Sequence, residues 1–231
     1  MNDVKREFVK RVDEIELYFS FLENNITKEA KLIYPDNTVE EFPNDLNKIF
    51  KANCFLILYN LAESSVTNAI EAIYTHLENE NVCYDDLRFG IKNEIVKYLK
   101  TKINANKFIE STDSIAYDII TQCFNPEKLL SGNLDYRKVK GIAEVYGFSH
   151  SILPMIEPDG THLPIDPQKI LSVKSKRNDL THGIYSFTEC GKEYTLLDLI
   201  SIKNHIIEYL RQVINHIETY ILEKKYLAKT V

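Results

Sequence analysis

The sequence predicts an all-α fold, a helical bundle with small β decorations, and three observations carry that expectation. Apolar residues recur at helical spacing along most of the chain. Only seven glycines and seven prolines interrupt 231 residues. The stretches Asp45–Asn79 and Leu196–Lys225 contain neither.

The first helix is expected over Val4–Leu22, where Val4, Phe8, Val12, Ile15, Phe19 and Leu22 fall on one face and Lys5, Arg6, Glu14 and Glu16 on the other. Lys31–Val39 loses that period. Two β-prone pieces flank Pro35-Asp36-Asn37, which reads as a small hairpin or an irregular loop. Pro43-Asn44 then starts a helix from about Asp45 to Asn79, nearly all apolar between Cys54 and Leu61. Further helices are expected at Tyr84–Ile103, Ser114–Phe124, Leu134–Tyr146 and Asp166–His182. Four prolines, two glycines and two histidines make Gly147–Pro167 a loop or insertion. Tyr185–Thr195 reads as a short hairpin turning near Gly191. The last helix runs from Leu196 to about Lys225, with Leu199, Ile206, Val213 and Tyr220 at intervals of seven and Thr195 and Asp198 at capping spacing. Neither a composition break nor an internal repeat divides residues 1–231, so one domain is expected.

Composition narrows the function classes. At 44% hydrophobic and 27% charged residues, the chain is neither disordered nor fibrous. The formal charge of −6 excludes nucleic-acid coating by bulk positive charge, so any such function needs a local basic patch. Cys54, Cys83, Cys123 and Cys190 stand far apart and read as free thiols of a reducing compartment. A charged beginning and the lack of a membrane-length apolar run point to a cytoplasmic protein without a membrane partner. Without a P-loop, GxGxxG or HExxH, no cofactor is expected. No metal is expected either, since His150 and His162, with Glu157 and Asp159 between them, match no compact ligand spacing. His205 and His216 share a face of the last helix and are expected at its surface or in a dimer contact.

The segment with chemistry is Lys174-Ser175-Lys176-Arg177-Asn178-Asp179-Leu180-Thr181-His182-Gly183. Arg177 and His182 lie about 7.5 Å apart along a helix axis and well separated around it. They reach one site only if His182 sits where the helix ends, with Gly183 as its left-handed stop. An imidazole there lies beside unpaired carbonyls, and an arginine just over a turn earlier supplies a forked cation suited to phosphate oxygens. Lys169, Lys174 and Lys176 concentrate positive charge around the pair and are candidates for binding a phosphodiester substrate; Arg137, Lys138 and Lys140 form a second basic run. Spacing alone also describes an ordinary helix end.

Arg177-Asn178-Asp179-Leu180-Thr181-His182-Gly183 closely resembles the R-N-x-x-x-H-G signature of the HEPN superfamily, and Lys51–Ser64 resembles the second-helix motif of its MAE-like nuclease branch. Gly132-Asn133-Leu134-Asp135, Tyr146-Gly147 and Phe187–Leu199 resemble further blocks of that branch. The resemblance implies a HEPN-like helical bundle and metal-independent RNA cleavage, in which the substrate 2′-hydroxyl attacks the adjacent phosphorus and leaves a cyclic phosphate. It casts His182 as general acid or base, Arg177 as the stabiliser of phosphorane charge, and Asn178 as an orienting amide. It also implies a homodimer whose two motifs face each other, and a setting in prokaryotic defence with an antitoxin partner for a toxin. Asn60 and Glu63, on the polar stripe of the long helix, are candidate supports; Glu63 would hold Arg177 or orient His182. Tyr185 stands three residues after His182. In a related toxin branch, a tyrosine spaced one residue closer is modified with nucleotide. HEPN-like bundles also serve as non-catalytic binding or dimerisation modules and as adaptors in defence complexes, which is the rival reading.

Overall fold

A computed structural model describes residues 1–102, 133–156 and 159–228. Its elements, in chain order, are α1 (Asn2–Thr27), β1 (Lys31–Ile33), β2 (Val39–Glu41), α2 (Asn44–Asn79), a 3-10 turn (Tyr84–Asp86), α3 (Phe89–Lys102), α4 (Tyr136–Tyr146), β3 (Met155–Ile156), β4 (His162–Leu163), α5 (Pro167–Thr181), α6 (Phe187–Lys192) and α7 (Leu196–Leu222). The expected helix at Ser114–Phe124 and Cys123 lie outside the described residues. The described fold is all-α, with two small antiparallel hairpins.

The hairpins are decorations in a physical sense as well. β1 pairs with β2 in the register Lys31–Glu41 and Ile33–Val39, and all six of its residues are exposed. Asp36 fixes the turn by accepting the Thr38 amide at 3.0 Å. The second hairpin, Met155–Ile156 against His162–Leu163, sits in the loop between α4 and α5.

The chain divides into two compact units. One comprises Met1–Val4, Ser65–Ser151 and Gln212–Val231, the other Lys5–Ser64 and Ile152–Arg211. In the first, Val139, Ile142, Ala143 and Tyr146 bury one face of α4, whose N-terminus is capped by the Asp135 side chain. Tyr74 and Tyr146 share a hydroxyl–hydroxyl bond of 2.8 Å, and the Tyr220 hydroxyl donates to the Tyr146 carbonyl. The helix expected over Tyr84–Ile103 is split here. Buried Leu87 is extended and bridges Leu227, while the Arg88 amide donates to the Tyr226 carbonyl. Those ladder bonds compete with the helical ones, so α3 begins only at Phe89. The last helix stops at Leu222 rather than near Lys225, because Lys224 takes a left-handed conformation and the Lys225 amide turns back to Tyr220.

The second unit holds the candidate site. α1 buries Phe8, Ile15, Phe19 and Leu22, and the first half of α2 buries Phe55, Leu58, Tyr59 and Leu61. Lys203 of α7 is buried, pairs with Glu16 of α1 and lies over the Phe19 ring. α5 starts at Pro167 with Asp166 as its cap, whose carboxylate accepts the Gln168 amide at 2.9 Å. Thr195 and Asp198 cap α7 reciprocally: the Thr195 amide and hydroxyl donate to the carboxylate, and the Asp198 amide donates back.

Two expectations fail in this unit. The hairpin expected at Tyr185–Thr195 is instead α6, because Ser186 accepts the Glu189 amide and Glu189 accepts the Ser186 amide, a complete capping box. Cys190 and Gly191 are thereby turned inward and buried. His205 is a core residue, 2% exposed, rather than a surface one. Its Nδ1 accepts the Asp166 amide at 3.1 Å, so the imidazole is neutral at that nitrogen and ties α7 to the cap of α5.

Burial, with the Lys169 charge, lowers the pKa of His205, and Asp166 opposes this only in part. A depressed folded pKa means the folded chain binds fewer protons than the unfolded one. The stabilisation is complete above the unfolded value of about 6.5 and is lost as pH falls from there towards the folded value. His150 is shifted in the same direction, by burial and then by His216. The His205 share is therefore read as a difference. The thermal midpoint of the wild type should fall more between pH 8 and pH 5 than that of His205→Asn, which keeps an acceptor without a titrating ring. Parallel curves would refute the assignment.

Candidate active site

The C-terminus of α5 is built as a full Schellman motif. Gly183 is left-handed at φ 68°, its amide donates to the Leu180 carbonyl at 3.3 Å, and the Ile184 amide donates to the Asp179 carbonyl at 2.9 Å. His182 is the capping residue, with its own amide on the Asn178 carbonyl. The stop expected at Gly183 is therefore observed. It leaves the His182 side chain exposed at the helix end, beside carbonyls with partial negative charge.

Arg177 stands five residues before His182 on α5. Ile170, Val173 and Leu180 are buried at spacings that continue through residue 177, so Arg177 occupies a position on the inward face of α5. Its guanidinium lies over the ring of Tyr59 on α2, 4.7 Å from the centroid, and donates to the Asn178 side-chain oxygen at 3.0 Å. Among the described residues it forms no ion pair. No carboxylate among them meets this half-buried arginine, held by a ring and an amide, and its fork suits an anion. Tyr59 escapes a reading of the sequence because it stands in the apolar run of α2 and reads as core.

The other candidates divide. Asn178 joins Arg177 directly. Lys176 is paired with Glu193 at 2.5 Å and lies over the rings of Tyr185 and Tyr194, at 4.9 and 5.7 Å. Burial works against its charge most strongly, but the Glu193 hydrogen bond together with the electrostatic pull of Tyr194, Glu193 and Cys190 outweighs this and raises its pKa. Tyr185 is thus a neighbour of Lys176, 39% exposed. Lys169 donates to the Ser201 hydroxyl, and Lys174 is half-buried on α5. Asn60 points to α1, where its side-chain oxygen accepts from Arg11 at 3.0 Å; the two line a cleft of about 200 Å³ with Glu14, Tyr18, Ile57 and Leu61. Glu63, half-buried one turn beyond Tyr59, forms no ion pair among the described residues.

α6 braces this helix end. Lys51 of α2 donates to the Tyr194 carbonyl at 2.6 Å, and the Tyr194 ring meets Phe55 edge-on at 4.8 Å. Gly191 of α6 lies against the Lys48 backbone. Among the described residues no three His, Cys, Asp or Glu side chains are grouped as metal ligands would be, and no helix is long and apolar enough to cross a membrane.

An all-α fold whose α5 carries Arg177 and is closed by His182 and Gly183 agrees with the HEPN resemblance of the sequence. More narrowly, the family model described as HEPN_MAE_28990/-like HEPN matches residues 2–226, and the chain belongs to that family. No curated protein and no solved structure matches the chain.

Proposed function

We propose that this protein is a metal-independent endoribonuclease, acting as a homodimer in cytoplasmic prokaryotic defence as a toxin or antiviral effector. The observation that supports this best is the Arg177 guanidinium, fixed on Tyr59 and Asn178 without a carboxylate among the described residues, on the helix that ends at an exposed His182. Arg177 would meet the phosphate and stabilise charge growing on its oxygens. His182 would move the proton of the attacking 2′-hydroxyl or of the leaving 5′-oxygen. A single copy offers one imidazole for those two transfers. Two copies facing each other across a groove offer an acid and a base, which is the chemical reason for the homodimer. Lys169 and Lys174 would add non-specific attraction for the RNA backbone. An antitoxin would be a protein that covers the α5 end.

The test is cleavage of end-labelled single-stranded RNA in EDTA. The wild type should cut and leave cyclic-phosphate ends, and His182→Ala should lose at least about 100-fold in rate at unchanged thermal midpoint. If the folded wild type cuts none of several RNAs, the reading falls, and a non-catalytic binding module or defence adaptor takes its place.

A further inference from the structure

We infer that Tyr59 is a positioning residue of the site: its ring face sets the Arg177 guanidinium in place before substrate arrives. The inference rests on the ribonuclease reading for its kinetic consequence, but its structural half stands alone.

A solvent-exposed arginine samples many rotamers, and ordering it on a phosphate takes back part of the binding free energy. Arg177 is not in that condition. Tyr59 is 3% exposed, so the surrounding core fixes its ring, and a guanidinium 4.7 Å from the centroid is attracted by the ring's negative face. The Asn178 side chain, one residue along the same helix, takes one N–H at 3.0 Å. With the ring beneath it and one N–H on the amide, no other side chain among the described residues takes its remaining donors, which a ligand can then meet. A carboxylate in either role would neutralise the cation it holds; an aromatic face and a neutral amide orient it and leave its charge in force. Preorganised donors of this kind act on charge that develops during the reaction, so their loss is felt more in kcat than in KM.

The experiment compares wild type, Tyr59→Phe and Tyr59→Leu, all checked for thermal midpoint. Phenylalanine keeps the ring face; leucine keeps only bulk. On labelled single-stranded RNA, Tyr59→Phe should stay within about twofold of wild type, while Tyr59→Leu should lose about tenfold in kcat with KM little changed. Equal rates for all three, or equal losses in both variants, would overturn the inference.

A second readout needs neither activity nor the leucine variant. In the NMR spectrum of the wild type, the Arg177 δ-methylene protons, assigned by their disappearance in Arg177→Lys, should be shifted upfield by the ring of Tyr59. Ordinary arginine shifts there would overturn the inference even if the enzyme cuts. The upfield signature in a protein that cuts no RNA would leave the positioning intact and remove the ribonuclease reading instead.

Discussion

Arg177→Ala is expected to lower single-turnover RNA cleavage by about 10²–10³-fold while the protein stays folded. The size follows from what the guanidinium is arranged to do. Its carbon lies over Tyr59 and one of its N–H groups is taken by Asn178; in the proposed reaction the other donors would meet the charge that grows on the phosphorane oxygens. Truncation removes those donors and uncovers the tyrosine ring, which is a small loss to the core compared with removing a buried apolar side chain. Arg177→Lys tests which property matters. It restores a unit charge but neither the planar fork nor the stacked geometry, so it should remain at least about tenfold below wild type. Binding supplies a second readout. With a 2′-O-methyl RNA that cannot be cut, the slope of log Kd against log salt should fall by about 0.7 for each phosphate that Arg177 neutralises in the wild type. Cleavage by Arg177→Ala within twofold of wild type would remove the arginine from the mechanism, and an unchanged salt slope would show that it does not meet a phosphate.

The helix that carries this arginine was legible for local reasons. Pro167 and Asp166 mark its start, the 170-173-180 spacing marks its inward face, and His182-Gly183 marks its end. Each signal acts within a few residues and survives any tertiary arrangement. α2 and α7 were legible in the same way, from long periodic runs with a start signal. What escaped depended on contacts between distant segments. The Leu87–Leu227 bridge, which breaks the expected helix before Phe89, joins positions 140 apart in the chain. The Tyr59 ring counts as site rather than core only because α5 lays Arg177 over it. His205 reads as a surface residue because its partner is a backbone amide, which no side-chain pattern announces. α6 is the exception, since its signal is local and is masked. Ser186 and Glu189 have capping-box spacing, but the β-prone residues Tyr185, Phe187, Thr188 and Tyr194 around a central glycine outweigh it.

That glycine supports the second large effect, on stability. Gly191→Ala is expected to lower the thermal midpoint by about 5–10 °C, from an overpacking penalty near 1–3 kcal/mol or somewhat more. A methyl group at residue 191 would stand 1.8 Å from the Lys48 carbonyl oxygen and 2.9 Å from its Cα, so α6 would have to lift off the backbone of α2. Flexible side chains can swing aside, whereas a carbonyl within a helix cannot. The displacement would loosen what α6 holds: the Lys176–Glu193 pair, the Tyr194–Phe55 contact and the Lys51 bond to the Tyr194 carbonyl. RNA cleavage should therefore fall along with stability. Gly141 is the control with the opposite sign. It lies within α4, and nothing stands within 4 Å of a methyl group added there. Gly141→Ala should raise the midpoint by about 1–3 °C, because alanine favours the helix by roughly 0.5–1 kcal/mol, and it should leave cleavage unchanged. If both variants move the midpoint in the same direction, the close approach of α6 to α2 is not as described, and the bracing of the α5 end by α6 falls with it.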